Sequence, residues 1–186
     1  IHLKKDQAFN MTDKEGDPTY RSFPADVDLS TLKITHDYYN HSDADKDINI
    51  VLPFDALREC HQEGLIGSFS ENFYSFMGHI EGKNIKKLVQ NYCQELAKKL
   101  VKEQVDVAIL SPAWGICNQT VGLIQRELEK NGIATAGISI AKEISLKIKP
   151  SRTLFITYPF GHPFGEPLKP KQHKTILKDL LHLLKT

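Results

Sequence analysis

Long hydrophobic runs are missing from this sequence, cysteine is scarce and neither sign of charge prevails. No apolar run approaches the ~18 residues of a membrane-spanning helix, so nothing argues for a membrane partner. Lysine and arginine total 24 against 23 acidic residues, a formal net charge of +1. That balance gives no reason to expect nucleic acid or an anionic surface as a partner. The three cysteines, Cys60, Cys93 and Cys117, are odd in number, widely spaced and form no CxxC. This argues against a disulfide scaffold and for a reducing, cytoplasmic compartment. Internal repeats, low-complexity tracts and a second domain are also missing. What remains is 186 residues, 40% apolar and 25% charged, which suits one domain with a real core.

The stretch from Val105 to Ile140 reads as one βαβ unit. VDVAIL is short, apolar and β-branched without strict alternation, which suits a strand buried on both faces of a parallel sheet. Ser111, Pro112 and Gly115 end it. Val121, Ile124 and Leu128 then recur at helical spacing, Asn131-Gly132 stops the helix, and IATAGISI is the next strand. Before this unit, PFDALRECHQEG and NIKKLVQNYCQELAKKLVKE read as helices, the second with an apolar stripe from Ile85 to Val101. LKITHDYY (residues 32–39) reads as a strand. Residues 1–30, rich in turn formers, read as an irregular extension. After the βαβ unit come a short helix or turn, the strand RTLFITYP and the terminal helix KQHKTILKDLLHLLK. The order predicts an α/β fold over residues 1–186: a three-layer αβα sandwich with a mostly parallel, Rossmann-like sheet.

Ligands of open α/β sheets bind beyond the carboxyl ends of the strands. Cys117 falls there, in a turn leading into a helix, where amide groups and the helix dipole favour a thiolate. A small buried cysteine packing the turn is the other reading. His36, His41, Asp43, Asp45 and Asp47 fall within twelve residues. Such a set could bind metal, although the glycine and distal glutamate of a calcium loop are lacking, or it could be a solvated loop capping the next helix. No metal is assigned. His36 or His41 could supply a proton or hold a substrate carboxylate. The aromatic run through Phe69, Phe73, Tyr74, Phe76 and Met77 could wall a pocket but suits a core better. PFGHPFGEP packs two glycines, three prolines and His162 into nine residues after a strand. It reads either as a plain crossover or as a loop whose backbone meets an anionic ligand.

These segments also carry a resemblance. PAWGICNQT, GDPTYR, HSDADKDIN, FMG and PFGHPFGEP resemble the selenoprotein B family of the glycine, betaine, sarcosine and D-proline reductases, most nearly the D-proline type. The resemblance covers nearly the whole chain. It implies reductive cleavage of a C–N bond in an amine or amino-acid substrate by thiol or selenol chemistry. Electrons would come from a dithiol or thioredoxin-type reductant. A pyruvoyl group is implied on a partner subunit or at a processed N-terminus. Relatives carry sequence before Ile1, so the resemblance implies a missing first strand and helix, or their supply by another polypeptide.

By the same resemblance Cys117 matches the family's second cysteine, and Trp114 stands where the family has selenocysteine or cysteine. Selenocysteine is encoded by UGA, a codon that can also be rendered as Trp. Catalytic expectations are Cys117, position 114, His41 and His36, with His79 as a further candidate. Substrate-contact expectations are Asp43, Asp45, Gln119, Thr120, Gly161, His162 and Gly165. Alternatives are a non-redox binding or accessory subunit, with Trp114 stacking on a cationic amine, and a cofactor-independent racemase or lyase, for which no paired second cysteine is evident. A partner subunit or a homo-oligomer is expected.

Overall fold

VDVAIL and IATAGISI become neighbouring parallel strands in the computed structural model, which describes residues 1–36 and 38–185. The chain begins with β1 (His2–Leu3), β2 (Tyr20–Pro24), β3 (Leu32–Lys33), α1 (Ser42–Lys46), α2 (Phe54–Gln62) and β4 (Asn72–Phe76). Next come α3 (Gly82–Lys87), a π turn (Leu88–Tyr92) and α4 (Cys93–Lys102), which run on as one helical stretch. The βαβαβ half follows: β5 (Val107–Leu110), α5 (Cys117–Lys130), β6 (Ala134–Ser139), α6 (Lys142–Ile148) and β7 (Thr153–Phe155), with α7 (Pro170–His182) after it.

The parallel sheet has the order β5-β6-β7. Val107 to Leu110 pair with Ala134 to Gly137, and Gly137 to Ser139 pair with Thr153 to Phe155. Strand alternation on β6 sends successive side chains to opposite faces. Ala136 and Ile138 join the apolar cluster that holds Leu177 and Leu180 of α7 and Leu57 and Cys60 of α2. Thr135 instead meets α5, where Gln125 Nε2 donates to its Oγ1 at 3.2 Å. On that side Ile124 and Leu128 of α5 pack with Leu96 and Leu100 of α4. Helices therefore cover β6 on both faces.

Two expectations about the first half need correction. Residues 1–30 are not irregular throughout, because β2 pairs along its whole length with β4 in an antiparallel ribbon, Tyr20 opposite Phe76 through Pro24 opposite Asn72. The cause is apolar: Phe23 is 1% exposed and packs against Phe54 and Phe73, a burial of roughly 1.5–3 kcal/mol for such a side chain. The strand predicted over residues 32–39 is only Leu32–Lys33, paired antiparallel with β1. It does not enter the parallel sheet. Beyond Lys33 the polar and aromatic residues turn toward the β5–α5 junction, and Asp37, inside that predicted strand, lies outside the described residues.

Cys60 and Cys93 are core residues, each with no exposed surface. Burial, with Glu127 adding to it, pushes the Cys93 thiol up to about 12 from an ordinary 9.0. The folded thiol therefore keeps its proton where the unfolded one loses it. This contribution to stability is complete below 9.0 and lost as pH climbs toward about 12. Urea midpoints taken from neutral to alkaline pH should fall across that window, and Cys93→Ala should flatten the fall.

Candidate functional site around Cys117

Cys117 is the first residue of α5, directly beyond the carboxyl end of β5. The turn before it is closed by the neighbouring Asn118, which is 1% exposed. Asn118 Nδ2 donates to Trp114 O at 3.0 Å and Gly115 O at 2.7 Å. Its Oδ1 accepts from Ile140 N at 3.0 Å, at the end of β6. Sequence reasoning did not single out Asn118, since a polar residue one place after the cysteine carries no spacing signal.

Cys117 is 5% exposed, and its sulfur lies against the backbone of Gly78. A Cβ on Gly78 would fall far inside van der Waals contact with Sγ. Thr120 Oγ1 donates to Gly78 O at 2.7 Å, and Gln119 Nε2 donates to Ile80 O at 3.2 Å. Gln119 and Thr120, expected as substrate contacts, thus clamp residues 78–80 to the first turn of α5. Burial pushes the Cys117 thiol up, while the main-chain amides of Trp114, Ala113 and Cys117 face the sulfur and pull the other way. This is the chemistry of a cysteine at a helix start, offset by desolvation.

A ring of aromatic side chains surrounds the turn. Trp114 stands edge-on to Phe160 at 6.4 Å and to His36 at 6.5 Å between centroids. His36 in turn meets Tyr38 and Tyr39, Tyr39 meets His41 at 6.0 Å, and Tyr38 meets His79 at 5.0 Å. Burial raises the Tyr39 hydroxyl, followed by the nearby charges of Cys117 and Asp45. Tyr39 and Phe160 were not anticipated as site residues.

His41 and His162 each meet one carboxylate. His41 Nδ1 lies 2.7 Å from Asp45 Oδ2, and His162 Nε2 lies 3.3 Å from Asp43 Oδ2. Lys46, then His162, hold Asp43 below the usual carboxylate range. Asp47 belongs to the scaffold, accepting from Asn49 N and Leu168 N. Among the described residues no three His, Cys, Asp or Glu side chains could hold a metal together. His162 Nδ1 is buried with no partner among the described residues.

The loop after β7 splits between two places. Gly161 N donates to Ala113 O at 2.7 Å, and with φ +90° the residue sits against the Tyr39 ring. Gly165 instead packs on Gln172 of α7, whose Oε1 accepts from Glu166 N. The structure thus brings together Cys117, Trp114, His36, His41, His79, Asp43, Asp45, Gly161 and His162, and it leaves Gly165 with α7. Two surface grooves, about 340 Å³ beside Leu32–Ile34 and about 390 Å³ beside β7 and α7, do not include Cys117. Ile1 N donates to Ser75 Oγ at 3.0 Å.

Residues 24–113 match the glycine/sarcosine/betaine reductase selenoprotein B family. With a relative 31% identical along nearly its whole length, the chain belongs to this family. It is 31% identical to the D-proline reductase subunit gamma of Acetoanaerobium sticklandii over 99% of this chain and 74% of that one. It is also 30% identical to the glycine reductase complex component B subunit gamma of Symbiobacterium thermophilum, over 84% of this chain and 36% of the relative. The sarcosine reductase complex component B subunit beta of Peptoclostridium acidaminophilum is 30% identical over 78% of this chain and 33% of that one. No solved structure matches the chain.

Proposed function

We propose that the chain is a subunit of a reductase that cleaves a C–N bond of an amino acid or amine, with Cys117 as the resolving thiol and position 114 as the place of its selenol or thiol partner. The observation that carries this reading is the turn itself. Cys117 heads α5 beyond the end of β5, three residues after position 114 in the turn between them. A soft nucleophile at 114 attacks the carbon, and the C–N electron pair leaves on nitrogen, which takes a proton. The Cys117 thiolate then attacks the selenium or sulfur at 114. The bond to carbon breaks, its electron pair stays on carbon, and that carbon takes a second proton. A dithiol reduces the resulting selenenylsulfide or disulfide, so two electrons and two protons enter per bond cleaved. His41, whose Nδ1 lies 2.7 Å from Asp45 Oδ2, is the general acid in this reading and protonates the leaving nitrogen. Among the described residues the other cysteines, Cys60 and Cys93, are buried in separate apolar clusters and do not substitute for position 114.

The same proposal includes a three-layer αβα sandwich, with α4 and α5 on one face and α2 and α7 on the other. It also includes a cytoplasmic location and a partner subunit carrying any pyruvoyl group that holds the substrate amine. No helix among the described residues is long and apolar enough to cross a membrane. A non-redox binding or accessory subunit is the second reading. The Trp114–Phe160–His36 wall favours it, because aromatic faces suit a cationic amine.

The test is turnover by the anaerobically purified complex that contains this chain, offered D-proline, glycine, sarcosine and betaine with dithiothreitol. Dithiol-dependent C–N cleavage that vanishes in Cys117→Ala is the expected result. Absence of any such turnover, or turnover indifferent to Cys117, sinks the reductase reading. In an active complex, His41→Ala should lower kcat by about 10²–10⁴-fold, with part of the loss recovered at lower pH where solvent supplies the proton.

A further inference from the structure

β7 is an outer strand of the parallel sheet, bonded to β6 alone among the described residues. Gly137 N donates to Arg152 O at 2.9 Å, and Ile156 N donates to Ser139 O at 3.0 Å. Successive residues of a strand turn their main-chain groups to opposite edges. With Arg152, Leu154 and Ile156 bonded toward β6, the N–H and C=O groups of Thr153, Phe155 and Thr157 point away from the sheet and have no partner among the described residues. Natural edge strands are commonly guarded by charge or proline. Residues 153–158 read TLFITY, with neither. Phe155 is 41% exposed, although Lys142 Nζ stands 5.6 Å from its ring centroid. A groove of about 390 Å³ runs beside residues 154–158, walled by Thr175, Ile176 and Asp179 of α7.

The segment's own sequence says what fits this edge. About Phe155 it is a near-palindrome, Thr153-Leu154-Phe155-Ile156-Thr157. We infer that two copies of this chain pair β7 with β7, antiparallel, about a twofold axis at Phe155, joining their three-stranded sheets into one. Phe155 then lies opposite Phe155 of the second copy, Leu154 opposite Ile156, and Thr153 opposite Thr157. Aromatic pairs and threonine pairs are favourable cross-strand neighbours in antiparallel sheets. The backbone agrees with the side chains. Phe155 and the two threonines carry the outward groups, so their pairs exchange both N–H···O bonds, while Leu154 and Ile156 fall at the closer, unbonded pairs. An isologous contact needs one patch that complements itself, and β7 is such a patch. The inference stands apart from Cys117 and its chemistry.

Sedimentation velocity of the purified chain against concentration reads the association. A short bismaleimide applied to Phe155→Cys reads the register. Expected are a species of twice the 21.1 kDa of one chain and a chain-to-chain bridge mapped to position 155 in both copies. Thr157→Pro removes an outward N–H that the monomer does not use, and proline is tolerated at such edge positions. It costs the dimer two hydrogen bonds and should weaken it by about 10–100-fold. Phe155→Lys, which sets like charges on the axis, should weaken it further. Circular dichroism should stay unchanged in both. Val101→Lys, at an exposed apolar position on α4, should associate as wild type does. Should either edge variant misfold, the bridge at position 155 decides. A wild-type chain that is monomeric at every concentration overturns the inference, including the case in which another polypeptide fills this edge. A dimer that both edge variants leave intact also overturns it, as does a dimer with no bridge at position 155. None of these outcomes bears on the reductase reading.

Discussion

Gly78→Ala should destabilise the protein by about 1–3 kcal/mol, the usual cost of forcing extra volume into a packed interior, and should unseat Cys117. The new Cβ would overlap the Cys117 sulfur and lie 2.7 Å from its Cβ. The Gly78 backbone cannot simply retreat, because its carbonyl is bound by Thr120 Oγ1 at 2.7 Å. One side must yield: either residues 77–79 lose the Thr120 clamp, or the sulfur swings out of reach of the amides that face it. A double-mutant cycle by chemical denaturation separates this clash from any other effect. Cys117→Ala removes the sulfur but keeps the Cβ, so Gly78→Ala should cost measurably less in that background, without becoming free. A Gly78→Ala protein within about 0.5 kcal/mol of wild type, the range of an ordinary surface change, would show that sulfur and glycine are not in contact.

Trp114→Cys should convert the turn into a redox pair. Positions 114 and 117 stand in the CxxC spacing of a redox pair, with Cys117 at the first position of α5 and residue 114 in the turn before it. Under mild oxidation the variant should lose two hydrogens in mass, with the new bond mapped to residues 114 and 117 and reversed by dithiothreitol. Cys60 and Cys93 should remain reduced, being buried in separate clusters. Losing the indole removes its edge contacts with Phe160 and His36, worth about 0.5–1.5 kcal/mol each, so some stability should fall as redox function appears. Dithiol-dependent turnover above that of the Trp form is the functional counterpart. An oxidised variant in which both thiols stay free would show that the turn does not bring the two positions together.

The βαβ unit was legible because its signals are local. VDVAIL and IATAGISI had no alternation to misread, and Asn131-Gly132 closes the helix one residue beyond Lys130. The long apolar stripe before β5 likewise became α3, the π turn and α4. The β2–β4 ribbon was not legible, because YRSFP finds its partner only after a long excursion and ends in proline, which reads as loop. The strand predicted at 32–39 failed for a related reason. Its β-favouring residues are aromatic and polar groups that the fold uses around Trp114 rather than in a ladder. Around the turn, residue type pointed to Cys117, His41 and His162 as candidates. Asn118, Gly78 and Gly161's bond to Ala113 act through backbone atoms, whose directions no residue pattern discloses. Gly165 shared Gly161's motif and yet turned to α7, since one loop serves two neighbours.

On the proposed function the 114–117 turn presents a working thiol. Anaerobic alkylation of the native protein against pH, read by intact and peptide mass, tests it most directly and also reports the residue at 114. Expected is a native Cys117 that alkylates while Cys60 and Cys93 do not, or a selenocysteine mass at position 114. A tryptophan at 114 with Cys117 reacting only on unfolding would contradict it, and the protein would then be a binding or accessory subunit on the scaffold of its family.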